Sequence, residues 1–226
     1  LYAHRDQAAA TAEALFAIQA LGVGPGSRAV DIGCGGGRHQ RAFEEHGVRV
    51  VGVDLSRPLL CENHGSGGER LVRADMRALP LADGSFDVAT SFFTSFGYFD
   101  ADDDDARVLQ EVARVIRPKG RYLLDYLYSP GVAANLVPHT ERNVAGYRMV
   151  EERRIEHQHV KKRVSITPAA GGETRSYEES VRLYPPADLE RMLETAGLTV
   201  VDRYGALDGR ALGAGSRCVL VAERPQ

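Results

Sequence analysis

Three aspartates stand at the ends of predicted strands, and a turn rich in glycine follows the first of them. Asp31 precedes the turn GCGGG at 33–37, Asp54 ends the apolar run VRVVGV, and Asp75 follows the run RLVRA. The carboxyl ends of neighbouring strands in an open parallel sheet line one crevice, so we expect the three carboxylates to share one groove. Such a groove repels a polyphosphate and suits a ligand with cationic and hydroxyl groups.

The glycine turn leaves two classes of nucleotide ligand open. In the dinucleotide fingerprint G-x-G-x-x-G, Gly33 and Gly35 fill the first two positions, but the third falls on Arg38. An NAD-dependent oxidoreductase, with Asp54 on a ribose, therefore stays an alternative with less support. S-adenosylmethionine suits the acidic groove better, because it carries a cationic amine, a sulfonium, ribose hydroxyls and an adenine amine but no phosphate.

The elements that position these residues alternate between strand and helix. Apolar residues at helical spacing predict helices at 6–20, from the glycine turn to about 46, and at 57–63, 102–116 and 186–196. Apolar runs rich in β-branched residues predict strands at 27–32, 48–53, 70–74, 86–93, 121–128, 198–204 and 217–222. The alternation predicts an α/β fold with an open, doubly wound, Rossmann-like sheet and helices on both faces.

Between residues 141 and 184 the pattern changes to charged residues mixed with β-branched and aromatic ones, many at period two. This spacing predicts an antiparallel meander with one solvated face. The regular alternation resumes after it. We therefore predict a single domain over 1–226 that carries an antiparallel β insertion, or cap, at 141–184 after the fifth strand.

Composition argues against several classes of protein. The 226 residues carry a net charge of −3, which provides no basic field for a nucleic-acid backbone. No apolar run reaches membrane-spanning length, and the first residues lack the pattern of a signal peptide. Cys34, Cys61 and Cys218 are odd in number and far apart, so they predict neither a disulfide framework nor a zinc site, and a cytoplasmic location is expected.

The chain resembles the class I S-adenosylmethionine-dependent methyltransferases, of a bacterial small-molecule type, over essentially its whole length. Successive motifs carry the resemblance: AVDIGCGGGRH, VGVDLS, RADMRALP, FDVATSFF and RVIRPKGRYLLD, where Lys119 replaces a glycine of the family pattern. The resemblance implies S-adenosylmethionine as cofactor and a seven-stranded sheet whose last strand is antiparallel.

The resemblance also implies roles for individual residues. Asp31 and the backbone of Gly33, Cys34 and Gly35 would contact the methionine half of the cofactor, and Asp54 would accept from both ribose hydroxyls. The remaining positions implied are Leu55, Asp75 and Met76 at the adenine, Ser91 and Phe92 at the sulfonium, and Tyr2, His4 and Arg5 in an N-terminal lid.

Two further clusters suggest metal binding, and for both we favour a structural explanation. The acidic run at 100–105 opens a predicted helix, where acids complement the helix dipole and cap free amides. His157 and His159 are predicted to share one face of a strand, without a third ligand. We therefore predict no metal site.

The sequence leaves the methyl acceptor and the general base open. The (D/N)-P-P-(Y/F) motif of enzymes that methylate exocyclic base nitrogens and the Pro-Cys motif of cytosine C5 enzymes are both missing. A small-molecule acceptor is therefore favoured over nucleic acid, and a non-catalytic cofactor-binding protein is the second alternative. Tyr98, His139 and Tyr147 are the candidate bases. The insertion is predicted to cover the acceptor, with pairing of two subunits through it as one way to do so.

Overall fold

The computed structural model describes residues 7–62, 70–213 and 217–226. Its strands are β1 (Arg28–Ile32), β2 (Arg49–Asp54), β3 (Leu71–Arg73), β4 (Phe86–Ser91), β5 (Ile116–Leu127), β6 (His139–Val144), β7 (Tyr147–Glu156), β8 (His159–Pro168), β9 (Arg175–Arg182), β10 (Thr199–Tyr204) and β11 (Arg217–Glu223). Its helices are α1 (Gln7–Leu21), α2 (Arg38–Glu45), α3 (Arg57–Glu62), α4 (Asp102–Val115), α5 (Ser129–Asn135) and α6 (Pro186–Thr195).

The main sheet has seven strands in the order β10-β11-β5-β4-β1-β2-β3. Strands β1 to β5 pair in parallel, whereas β11 is antiparallel to both β5 and β10. The predicted open sheet with an antiparallel last strand is thereby confirmed. Because β1, β2 and β3 are neighbours, their carboxyl ends bring the three aspartates to one edge of the sheet, as predicted.

Helices cover both faces of the sheet, and successive strand residues point to opposite sides. On β1, Ala29 packs into the cluster formed with α1 and α2, whereas Val30 packs into the cluster formed with α4 and α6. Both side chains are buried. Burial on both faces explains why these strands are nearly continuous apolar runs in the sequence.

Strand β5 begins earlier than the predicted 121, at Ile116, and contains a left-handed residue. Lys119, which replaces the glycine of the family motif, has φ of 63°, and its amide donates to the Arg224 carbonyl oxygen at 2.8 Å. Glycine adopts this conformation without strain, which explains the family pattern. The short helix α5 was not predicted from the sequence.

A second sheet of four antiparallel strands, in the order β6-β7-β8-β9, forms the insertion after the fifth strand. Its strands span 139–182, close to the predicted 141–184. The prediction that His157 and His159 share a strand face was wrong. His157 and Gln158 form the two-residue turn between β7 and β8, with φ of 48° and 61°, as a primed hairpin turn requires.

Backbone atoms at the end of β9 join the second sheet to the loop after β4, which spans residues 92–101 and is called the β4–α4 loop below. The Arg182 amide donates to the Gly97 carbonyl oxygen at 2.8 Å, and the Tyr126 hydroxyl donates to the Arg182 carbonyl oxygen. The Leu183 amide donates to the Gln158 carbonyl oxygen at 2.6 Å. The second sheet is therefore attached where β4 and β5 end.

The acidic run opens α4, as predicted, but the N-cap position itself is occupied by an alanine rather than an acid. The N-cap residue is Ala101, and it makes no side-chain hydrogen bond to the helix. Asp104 instead pairs with Arg77 and Arg107, and buried Asp105 accepts a hydrogen bond from the Tyr184 hydroxyl at 2.9 Å. Within the described ranges, no three His, Cys, Asp or Glu side chains are grouped as metal ligands would be.

Among the residues that the structure describes, no helix is both long enough and apolar enough to cross a membrane.

Candidate active site

The turn between β1 and α2 has a left-handed backbone at three glycines. Gly33, Gly35 and Gly37 have φ of 74°, 55° and 71°, a region in which other residues are strained. The Gly33 amide donates to the Val53 carbonyl oxygen at 2.8 Å, which joins the turn to β2. A Cβ atom at Gly33 would lie 2.4 Å from the Cβ of Ser95, so the turn also fits closely against the β4–α4 loop.

Asp31 places a buried carboxylate under this turn. Its side chain is 3% exposed, and Oδ1 accepts a hydrogen bond from the Thr90 hydroxyl at 3.0 Å. Oδ2 is buried and has no hydrogen-bond partner among the described residues. Burial raises the pKa of Asp31, against the attraction of His39. A buried acceptor of this kind needs a donor, and a cationic donor satisfies it best.

Asp54 lies at the end of β2 and binds the glycine turn directly. Its Oδ2 accepts from the Gly35 amide and its Oδ1 from the Ser56 amide, both at 2.8 Å. Each carboxylate oxygen can accept two hydrogen bonds, so one position on each oxygen is left for a ligand. Leu55, the next residue, is 60% exposed, as expected for an apolar side chain that packs against a ligand ring.

Asp75 reaches the same edge of the sheet but is already paired with Arg77. The Arg77 Nη2 atom lies 2.7 Å from Oδ2, and the guanidinium lowers the pKa of Asp75 through these hydrogen bonds. Arg77 also donates to Asp104 at 2.9 Å and lies 4.4 Å from the centroid of the Phe99 ring. Met76 packs against the main core. The pairing of Arg77 with this carboxylate was not predicted from the sequence.

Ser91 and Phe92 follow at the end of β4, and both are buried. The Phe92 ring stacks on His39 with centroids 4.0 Å apart, and His39 Nε2 lies 2.6 Å from an oxygen of Glu13 on α1. The structure thus places the Phe92 side chain in the core beneath the site. Sequence reasoning missed His39 and Glu13, because the contact joins residues 26 positions apart with no shared motif.

The β4–α4 loop begins with two left-handed residues that are not glycine, Phe93 and Thr94, with φ of 52° and 59°. The Phe93 amide donates to Oδ2 of Asp125 at 2.8 Å, and Asp125 forms an ion pair with Arg217. Sequence reasoning missed this pair as well. A lone Asp inside the apolar strand RYLLDYLY was a sign that could have revealed it, because buried carboxylates require partners.

The three candidate bases do not come together. Tyr98 lies on the β4–α4 loop and is 48% exposed, and His139 is an exposed residue at the start of β6, opposite Glu152. Tyr147 starts β7, at the end opposite Glu156, which by the rise of a strand is roughly 30 Å away. Since β9 joins the main fold beside the Glu156 end of the sheet, the structure does not bring Tyr147 to the groove.

Comparison with known proteins identifies the family. Residues 30–124 match a family of methyltransferase domains. The chain is 30% identical to the cypemycin N-terminal methyltransferase of a Streptomyces species over 206 residues. This match covers 87% of this chain and 82% of that protein. The chain belongs to the S-adenosylmethionine-dependent methyltransferases. Its methyl donor is S-adenosylmethionine.

Other relatives of this methyltransferase are similar in sequence over only part of their length, or are similar in fold alone. A demethylmenaquinone methyltransferase of Beutenbergia cavernae is 35% identical over 114 residues, so the chain spans about half the length of that relative, 46%. The sugar N-methyltransferase KedS8 of Streptoalloteichus has the same fold, with a TM-score of 0.78 at 20% identity over 99% of this chain and 90% of that one.

The hydrogen-bond acceptors at this edge of the sheet fit S-adenosylmethionine. The unpartnered Oδ2 of Asp31 offers a buried anionic acceptor, and Asp54 keeps one free acceptor position on each oxygen. The glycine turn lies between them, and a Cβ on Gly35 would meet no atom closer than Cδ1 of Leu59, at 3.9 Å. Tyr2, His4 and Arg5, the predicted lid residues, lie outside the described residues.

Cys34 lies in the turn of the methyltransferase but is not a reactive thiol. Its side chain is buried, and burial together with Asp31 and Asp54 raises the pKa of the thiol. Because the thiolate is the reactive form, this environment keeps Cys34 inert. If residue 52 carried a Cβ, that atom would lie 2.8 Å from the Cys34 sulfur. The Cys34 side chain therefore fills the space beside Gly52, between β1 and β2.

Proposed function

We propose that this methyltransferase transfers a methyl group from S-adenosylmethionine to a small-molecule acceptor bound beside the β4–α4 loop. The observation that carries the proposal is the buried Asp31 carboxylate with its unpartnered Oδ2 under the glycine turn. A diphosphate at this position would meet a buried negative charge, whereas the cationic amine of a methionine moiety supplies the missing donor.

The cofactor roles follow the order of the strands. Asp31 and the backbone of Gly33, Cys34 and Gly35 hold the methionine half. Asp54 accepts from the two ribose hydroxyls with the positions that the turn amides leave free.

The adenine and the methyl end complete the proposed site. Asp75 accepts from the adenine amine in place of one of the hydrogen bonds that the Arg77 amide, Nε and Nη2 donate to its two oxygens, and Leu55 and Met76 lie beside the ring. Ser91 and Phe92 border the sulfonium. Tyr2 and Arg5 keep their proposed place in a lid.

The bound cofactor supplies an electrophilic methyl group on a sulfonium. The chain contributes alignment and the exclusion of water, which account for most of the acceleration when charge disperses in the transition state. The buried side chains of Ser91 and Phe92 favour a dry site at the end of β4. A base is required only if the acceptor must lose a proton before it attacks.

An amine is the acceptor class that we propose first. Among the similar proteins, one is named for methylation at the N-terminus of cypemycin, where a peptide carries an amine, and another is named a sugar N-methyltransferase. A neutral amine attacks without a base, which agrees with the scattered positions of the candidate bases. Tyr98 and His139 remain the side chains proposed to contact the acceptor.

We further propose a homodimer formed through the second sheet. Val144, Tyr147 and Ile155 are exposed apolar side chains on that sheet, and a partner would cover them. Light scattering on the intact chain tests this, and a monomer whose second-sheet amides exchange freely contradicts it. We also propose a cytoplasmic location, since Cys34, Cys61 and Cys218 are free thiols.

The test of the function combines binding with turnover. Calorimetry compares S-adenosylmethionine with NAD on the intact chain, and a cofactor labelled in its methyl group is then screened against amines, phenols and carboxylic acids. We expect binding of S-adenosylmethionine alone and transfer of label to an amine. Binding of NAD instead, or no transfer to any acceptor, contradicts the proposal.

A matched pair of variants separates the groove from the rest of the sheet. Asp54→Ala removes a strand aspartate that accepts a backbone amide at the carboxyl edge, and it should weaken binding of S-adenosylmethionine. Asp87→Ala removes a similar aspartate, which accepts from the Arg28 amide at 2.7 Å at the opposite edge. The second variant should bind the cofactor as the wild type does.

A further inference from the structure

We propose that Asp125 and Arg217 are positioning residues for methyl transfer, which hold the start of the β4–α4 loop against the glycine turn. The proposal rests on the proposed function, because it concerns the methionine end of the cofactor site. Asp125 is the last residue of the motif RVIRPKGRYLLD, whereas Arg217 lies outside all the quoted motifs, and the two are 92 positions apart in the chain.

The first turn of the β4–α4 loop has a strained backbone conformation, which other contacts must stabilise. Phe93 and Thr94 are both left-handed, with φ of 52° and 59°, and neither is glycine. Such residues persist where surrounding contacts fix them, and they are typical of functional sites. Both amides of this turn bind Asp125, the Phe93 amide to Oδ2 at 2.8 Å and the Thr94 amide to the carbonyl oxygen at 3.0 Å.

Arg217 completes the support in a way that only a guanidinium allows. Its Nε atom pairs with Oδ1 of Asp125, and its Nη2 atom donates to the Thr94 hydroxyl at 3.2 Å. The guanidinium also lies 5.3 Å from the centroid of the Phe93 ring. Asp125 is 1% exposed, so its charge must be neutralised within the protein. A lysine provides the charge but not the planar fork.

The turn at Phe93 and Thr94 positions Ser95, which packs against the glycine turn where the methionine half of the cofactor is proposed to bind. Ser95, one residue beyond it, donates from its hydroxyl to the Ile32 carbonyl oxygen at 3.0 Å. The same side chain lies where a Cβ on Gly33 would be, 2.4 Å away. A shift of Phe93 and Thr94 therefore moves Ser95 against the glycine turn. Asp54 and Leu55, at the proposed adenosine end, lie on β2 and make none of these contacts.

The experiment compares Arg217→Lys with Arg121→Lys. Arg121 forms the same kind of pair with Glu223, at 3.0 Å, at the other end of the same two strands, β5 and β11. Calorimetry measures binding of S-adenosylmethionine and of adenosine, which lacks the methionine half, to the wild type and both variants. This readout needs no knowledge of the acceptor.

We expect Arg217→Lys to weaken binding of S-adenosylmethionine about tenfold, the factor that corresponds to one charge-assisted hydrogen bond. Binding of adenosine should stay within about twofold, as should both ligands on Arg121→Lys. An equal loss for both ligands on Arg217→Lys would show a general structural effect and overturn the proposal, as would no loss at all. A wild type that binds adenosine but not S-adenosylmethionine refutes the proposed function itself.

Thr94→Val keeps the proposal testable if Arg217→Lys does not fold. It removes the hydroxyl that Arg217 contacts but leaves the ion pair with Asp125 intact. The same selective loss for S-adenosylmethionine is expected, in a smaller amount. Unchanged affinity for that ligand would contradict the proposed role of Arg217.

Discussion

Asp31→Asn should make the protein more stable while it damages the cofactor site. The wild-type carboxylate is buried with one oxygen unpartnered among the described residues, and burial raises its pKa. An amide keeps the oxygen that accepts from Thr90 and removes the charge. The substitution is nearly isosteric, so no cavity is created.

Two opposing contributions give the magnitude. Removing an unpaired buried charge recovers about 3 kcal/mol, the low end of the usual range because His39 and Arg38 attract Asp31. The new amide nitrogen is left without an acceptor, which costs about 1–2 kcal/mol. We therefore expect the free energy of unfolding to rise by roughly 1–2 kcal/mol at a pH above the raised pKa of Asp31.

The sign of the pH dependence follows from the raised pKa of Asp31. The folded state binds this proton more tightly than the unfolded chain does, so wild-type stability falls as the pH rises from about 4 through the raised pKa. The asparagine variant lacks this titration. Its advantage should be complete above the raised pKa and should vanish below about pH 4.

Urea denaturation of both proteins between pH 4 and pH 8 measures this difference, and calorimetry measures the affinity for S-adenosylmethionine. Asp87→Asn is the control, because that carboxylate pairs with Arg117 and accepts from the Arg28 amide and its loss should destabilise the fold. A variant at Asp31 that is less stable than the wild type at a pH above the raised pKa, or that binds the cofactor equally well, refutes the reasoning.

Three further outcomes are expected. Asp54→Ala should weaken binding of S-adenosylmethionine by about 1.5–3 kcal/mol, the loss of hydrogen bonds to a charged acceptor; calorimetry that finds an unchanged dissociation constant contradicts the assignment. Tyr184→Phe should lower the free energy of unfolding by about 1–3 kcal/mol, because buried Asp105 loses its hydroxyl donor; denaturation curves within error of the wild type would be the contrary result. Lys119→Gly should raise the melting temperature by relieving a left-handed backbone at about 0.5–1 kcal/mol, whereas Lys119→Ala should give no gain.

The features that the sequence predicted are those with local causes. A strand buried on both faces must be apolar, and a tight turn before a helix must contain glycine, so β1, β2 and the turn between them were visible as patterns. The alternation of strands and helices indicated the open parallel sheet, and the family resemblance implied its antiparallel last strand. The three aspartates could be placed at one edge because that edge is fixed by the topology.

The features that were missed depend on contacts between distant parts of the chain. Arg217 on Asp125 and Glu13 on His39 each join two separate elements. Arg77 and Asp75 are two residues apart in one loop, and their pairing depends on side-chain conformation, which no sequence pattern predicts. The turn at His157 was missed because histidine and glutamine rarely adopt the left-handed backbone that a two-residue hairpin requires.

The attachment of the second sheet through backbone atoms of Arg182 affects which substitutions the sheet can tolerate. The amide and carbonyl groups of Arg182 make the junction with the Gly97 carbonyl oxygen and the Tyr126 hydroxyl, and these backbone groups are present whatever side chains the strands of the second sheet carry. Substitutions in the strands of the second sheet can therefore accumulate without breaking these hydrogen bonds to the main fold. The strands of this sheet can therefore diverge in sequence between related chains while the main sheet and its glycine turn stay the same.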